Sequence, residues 1–112
     1  MLFKELYDRC NNIAPLSQAE FIAAANETLD ILVARYGVAA VFKGGERSVV
    51  TAYDDEVAVY DEFMPVLKDS IVYLKNGDSE RKSAFESGCD YAYRTVWAEK
   101  RKRRRYGVPS WL

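Results

Sequence analysis

The sequence predicts a mainly α protein: three to four helices packed as a small bundle, with a short β-hairpin or extended loop inserted at about residues 38–60. Three observations carry this. Apolar residues recur at helical spacing in four separated stretches. Capping and stop signals fall at their ends, most plainly Ser17-Gln-Ala-Glu20 and Asn76-Gly77. Between the second and third stretches the pattern changes to β-prone runs around a Gly-Gly turn. The 112 residues are expected to form one domain, residues 1–106, followed by a tail, residues 107–112.

The first helix is expected over Met1–Asn11. Leu2, Phe3, Leu6 and Cys10 fall on one face, with Lys4, Glu5, Asp8 and Arg9 on the others. The loop Asn11-Asn-Ile-Ala-Pro15 ends it and is expected to tuck Ile13 into the core. Ser17-Gln-Ala-Glu20 reads as a capping box, in which the serine caps the helix start and the glutamate reaches back. The helix that follows, 18–36, carries a stripe of Phe21, Ala25, Leu29, Leu32 and Tyr36, widened by Ile22 and Val33. Gly37 is its stop. Ala23-Ala-Ala25 would let another helix approach closely.

The middle is irregular. Val38-Ala-Ala-Val-Phe42 and Ser48-Val-Val-Thr-Ala-Tyr53 are β-prone and flank Lys43-Gly-Gly-Glu-Arg47, which predicts a hairpin; a loop ordered by a partner is the alternative. Asp54-Asp-Glu56 is an acidic turn, and Val57-Ala-Val-Tyr60 a short extended piece. Asp61 then offers an N-cap, with Glu62 favoured by the helix dipole. Pro65 is tolerable there because the first helical N–H groups are unpaired. Phe63, Leu67, Ser70/Ile71 and Leu74 make the third stripe, closed by Asn76-Gly77. Asp78 or Ser79 caps the last helix, whose inner face is expected to be Phe85, Cys89, Ala92/Tyr93 and Val96. Gly88 in its middle costs about 1 kcal/mol of helix propensity against alanine, which a close helix crossing would justify. Gly107 and Pro109 end it.

Composition narrows the function classes. An apolar share of 49% with 29% charged residues is that of a folded globular chain. No apolar run approaches the ~20 residues of a membrane span, and Lys4, Glu5, Asp8 and Arg9 break any signal-peptide pattern. Cys10 and Cys89 are far apart, as in a chain from a reducing compartment, and both fall on apolar faces as structural residues. There is no histidine, so the usual general base, zinc ligand and catalytic triad are missing. Asp54, Asp55, Glu56, Asp61 and Glu62 lack the spacing of a calcium loop, and the Gly44-Gly45 turn lacks the Walker pattern. No catalytic residue, metal site or cofactor is expected.

The net charge of −1 hides an asymmetry. Residues 1–93 carry nine Lys/Arg against sixteen Asp/Glu, net −7, and residues 94–112 carry seven against one, net +6. The basic end is concentrated in Lys100, Arg101, Lys102, Arg103, Arg104 and Arg105. Such a run can neutralise phosphates without reading sequence, or seat the chain on an acidic protein face. A solvated helix end complementing the dipole is the plain alternative. Tyr91, Tyr93 and Trp97 upstream fall largely on core-like spacing, which speaks against base-stacking aromatics. Trp111 and Leu112, beyond Pro109, form an apolar hook of the kind that anchors interfaces.

Taken together, four features resemble the small head–tail connector (adaptor) proteins of tailed bacteriophages and prophages. They are the Ser17-Gln-Ala-Glu20 start into Phe21-Ile-Ala-Ala-Ala-Asn26 and on to Tyr36-Gly37; the irregular or hairpin middle; Val57-Ala-Val-Tyr-Asp-Glu-Phe-Met-Pro-Val-Leu67, passing from extended chain into helix; and Asn76-Gly-Asp78 leading to a last helix with Phe85, Tyr91 and Tyr93. The resemblance implies a non-enzymatic helical subunit that self-associates into a ring beneath the portal, in the virion neck. The ring would prolong the DNA channel and meet portal, neck and tail proteins. The basic run and the tail have no counterpart in that pattern.

Overall fold

A computed structural model describes residues 1–107, with side chains through Lys100. The elements are α1 (Phe3–Ile13), α2 (Gln18–Tyr36), a single turn α3 (Val38–Val41), a 3-10 turn (Asp61–Phe63), α4 (Met64–Asn76) and α5 (Ser79–Gly107). The architecture is a mainly helical bundle, as expected.

Helix α2 occupies the predicted span. Ser17 Oγ accepts from the Glu20 N–H at 3.1 Å, and Glu20 Oε1 accepts from the Ser17 N–H at 2.8 Å, so the capping box is complete. Helix α4 ends on Gly77 at φ +72°, a left-handed conformation that glycine adopts without strain. Asp78 caps α5 by accepting from the Glu80 N–H at 2.9 Å. Asp61 does not cap α4 as expected. It lies inside the 3-10 turn, which makes no side-chain cap bond, and Pro65 stands at the start of α4.

The core is one cluster fed by every helix. Phe3, Leu6 and Cys10 of α1 meet Phe21, Ala25, Leu29 and Leu32 of α2, and Leu67 and Ile71 of α4. Phe85, Cys89, Ala92 and Val96 are the inner face of α5, as predicted. Helix α5 crosses α4 closely at Gly88, where an added Cβ would stand 2.7 Å from Val66 Cγ1. Ala24 and Ala25 bring α2 against α4, and in that seam Thr28 Oγ1 lies 2.7 Å from Ser70 Oγ. Thr28 donates to the Ala24 carbonyl, so its proton is used and Ser70 is the donor to Thr28. Ile13 is not tucked in. The helix runs two residues further than expected and leaves Ile13 42% exposed, while Ala14 and Leu16 take the buried places.

No hairpin forms at 38–60; the described residues there contain no strand. Val38–Val41 is a helical turn launched from Gly37 at φ +90°. The Ser48–Tyr53 run lacks a strand partner because a side chain has taken that part. Asn26 donates to the Val50 carbonyl at 2.9 Å and accepts from the Val50 N–H at 2.8 Å, reproducing the pair of bonds a neighbouring strand would make. Asp55 accepts from Thr51 and Ala52 and shapes the turn that follows. Arg47 pairs with Asp30 at 2.5 Å, tying the glycine turn to α2. Extended chain survives as two isolated antiparallel bridges, Leu2 with Glu56 and Phe42 with Val59. The segment is the extended-loop alternative, with Val41, Phe42, Val50, Val57 and Val59 buried in the helical core.

Candidate functional site

The chemistry-bearing residues predicted from sequence lie at the far end of α5. This helix holds the body through its first twenty or so residues. Arg81 pairs with Asp69 at 3.0 Å near its start, and Arg35 reaches Glu86 at 3.7 Å. Tyr93 stacks on Tyr36 with centroids 4.6 Å apart and planes 12° from parallel. Tyr36 in turn donates to Asp90 at 2.6 Å. Burial, with Asp90 beside it, pushes the Tyr36 hydroxyl up to about 12, so it stays a donor.

Lys100 is the last described contact with the body. Its Nζ donates to the Ala39 carbonyl at 2.5 Å and sits 5.2 Å from the Tyr60 ring centroid. It is partly buried and serves as an anchor for the helix. Arg101, Lys102, Arg103, Arg104 and Arg105 continue the helical backbone to Gly107. Five successive helical positions 100° apart pass once round the axis, so the run forms a collar of cationic positions instead of a one-sided stripe. Trp111 and Leu112 lie outside the described residues.

The aromatics upstream of the collar are placed differently from expectation. Tyr93 faces inward, but Tyr91 is 76% and Trp97 45% exposed. Tyr91, Arg94 and Ala98 follow each other on an outer face of α5 that continues, by helical spacing, to Lys102 and Arg105. Their sequence spacing alone did not separate these residues from the core stripe, because Tyr91 and Tyr93 flank the true inner position Ala92.

Burial pushes the Cys10 thiol up to about 12 and the Cys89 thiol up to about 11, so both are neutral and inert at ordinary pH. Among the described residues no three His, Cys, Asp or Glu side chains converge as metal ligands. Asp55 spends its carboxylate on the Thr51 and Ala52 amides, which hold it below the usual carboxylate range. No described helix is long and apolar enough to cross a membrane.

A second surface feature escaped the sequence reading. Between α2 and α4 lies a groove of about 240 Å³. Buried Leu16, Ala24 and Ile71 form its floor, and the more exposed Ala23 and Leu74 its sides. Its rim carries Glu27 and the pair Lys75–Glu20, 2.6 Å apart. Leu74 was expected on the inner stripe of its helix, yet it stands 39% exposed at this rim. No protein-family model matches the chain, and comparison with curated proteins and with solved structures likewise gave no match.

Proposed function

We propose that the chain is a structural subunit that works by protein contact: a head–tail connector (adaptor) subunit of a tailed phage or prophage. In this reading it self-associates into a ring below the portal, prolongs the DNA channel and meets portal, neck and tail proteins in the virion neck, after assembly in the bacterial cytoplasm. The observation that carries the reading is the separation of charge along one helix. Helix α5 is fastened to a body of net −7 (residues 1–93) by contacts that include Lys100 on the Ala39 carbonyl, and its sequence continues through five more cations. Such a molecule is complementary to its own neighbour, and a head-to-tail contact repeated around an axis closes a ring. The order of elements supports the same reading.

A second reading, non-specific nucleic-acid binding, is favoured by Tyr91 exposed beside Arg94 on the helix that carries the collar. An exposed aromatic next to cations is the arrangement that stacks bases and neutralises phosphates.

One experiment separates the two. DNA binding is measured across a salt series for the intact chain and for a truncation ending at Lys100, which keeps the helix anchor. Incorporation of both into particles is followed by mass spectrometry of purified virions. The connector reading expects weak DNA binding at physiological salt and loss of incorporation on truncation. Tight binding with a log–log salt slope near −4.5, about −0.9 for each of five phosphates, that vanishes on truncation would overturn it in favour of the second.

A further inference from the structure

We infer that the α2–α4 groove receives the Trp111–Leu112 segment of a second copy of this chain. The inference rests on the self-association reading and supplies its contact. Three observations lead to it.

The first is size and lining. At about 240 Å³ the groove is smaller than the ~300–1,000 Å³ of drug-sized ligand pockets. With an aliphatic floor and an open side, it suits one large apolar side chain. Tryptophan is among the side chains enriched as such anchors, and Trp111 follows Pro109 in the sequence.

The second is charge. From Gln18 to Ala34, α2 carries Glu20, Glu27 and Asp30 and no cation. Glu20 is matched by Lys75 and Asp30 by Arg47, but Glu27 at the rim has no ion pair or side-chain hydrogen bond among the described residues. An arm that brings Trp111 to the groove carries the cations of 101–105 along with it, six or more residues upstream, onto this acidic helix.

The third is reach, which excludes the chain's own arm. Helices α4 and α5 run antiparallel, with Arg81 beside Asp69 and Gly88 beside Val66. The groove wall formed by Ile71, Leu74 and Lys75 therefore lies level with the first turn of α5. The end of α5, at Gly107, stands about 40 Å further along at 1.5 Å per residue. Four residues from Gly107 to Trp111 span at most about 14 Å. The shortfall is about 25 Å, so the segment fills a groove in another copy. Donor end and acceptor groove are then different surfaces of one molecule, the heterologous geometry that yields rings or filaments instead of closed two-fold dimers.

The test uses the full chain and two variants. Trp111→Ala keeps the groove and loses the anchor. Ala23→Phe fills the groove from an exposed position and keeps the arm. Each is first checked for native helix content and cooperative unfolding. Sedimentation is then followed for the parent chain, each variant alone, and an equimolar mixture. The parent is expected to self-associate, and each variant to do so about thirtyfold more weakly, the cost of losing a hot-spot residue. The mixture is expected to form a one-to-one pair, because one intact arm meets one intact groove. Unchanged self-association in either variant, or no pairing in the mixture, overturns the inference while leaving assembly through another surface. A parent chain that stays monomeric to high concentration also overturns it; particle incorporation in the preceding experiment then decides the connector reading on its own.

Discussion

Replacing Gly88 with alanine should destabilise the protein, against the usual trend for a helix. In an open helix the change gains about 1 kcal/mol, because alanine loses less conformational entropy than glycine. Here the new methyl would stand 2.7 Å from Val66 Cγ1, inside the closest approach such carbons make. Val66 is 2% exposed and lies on α4. A β-branched side chain in a helix has one strongly preferred χ1, so it cannot turn aside cheaply. Overpacking of this kind costs about 1–3 kcal/mol, leaving a net loss of between about 0 and 2 kcal/mol, or up to about 8 °C in Tm for a domain of this size. In a Val66→Ala background the obstructing methyls are gone, and Gly88→Ala should then stabilise by about 1 kcal/mol or more. Urea unfolding followed by circular dichroism, run as a double-mutant cycle, reads the change of sign. Equal stabilisation by Gly88→Ala in both backgrounds would refute the claim that the crossing needs glycine.

Three further outcomes follow from the packing and the charges. Thr28→Val removes the acceptor of the buried Ser70 hydroxyl and should cost about 1–3 kcal/mol, whereas Thr28→Val with Ser70→Ala should cost less than the sum of the single changes; additive losses in denaturant titration would contradict the proton assignment. Glu20 is held at about 2, below its ordinary 4.5, by the Lys75 ammonium and then by the Ser17 N–H. Its contribution is therefore complete above about pH 4.5 and drains away as the pH falls to about 2, so Glu20→Gln should flatten the fall of Tm across that window; parallel curves would show that the carboxylate is not felt. Cys10 and Cys89, with thiols pushed up to about 12 and 11, should resist a disulfide reagent in native buffer and react at once in urea, and rapid native labelling of either would mean that the core opens readily.

What could be read from the sequence depended on whether the signal was local. The span of α2 was legible because the capping box and Gly37 are both backbone-level signals, independent of the rest of the chain. The inner face of α5 and the purpose of Gly88 were legible because period and exception sit on one helix. The middle was not, because β-propensity records only that Val41, Phe42, Val50, Val57 and Val59 want burial. The helical core satisfies that wish, and Asn26, twenty-four residues away from Val50, supplies the strand-like bonds. Ile13 was misplaced because the Asn11-Asn12 stop was overrun by two helical residues. At the candidate site the cation run was plain, but the anchoring of Lys100 was not, since the Ala39 carbonyl and the Tyr60 ring come from the segment whose path was misread. The groove was invisible for the same reason: it exists only once α2 and α4 are side by side.

In the proposed assembly, the basic run and the Trp111-Leu112 pair would have different tasks. Five consecutive residues of a helical backbone occupy positions all round the axis, so an attraction of this run to an acidic or phosphate surface would be nearly independent of the rotation of α5. A contact of that kind brings a partner in quickly and is screened by salt, but it fixes no register. Register has to come from a shaped contact, and the apolar Trp111-Leu112 pair is the part of the region suited to one. In the sequence, Gly107 and Pro109, both residues that stop helices, stand between the two. In a ring this would let each subunit be captured electrostatically and then set by its hook. Under that division, neutralising Arg101–Arg105 should slow association and reduce its salt dependence, while Trp111→Ala should act mainly by speeding dissociation.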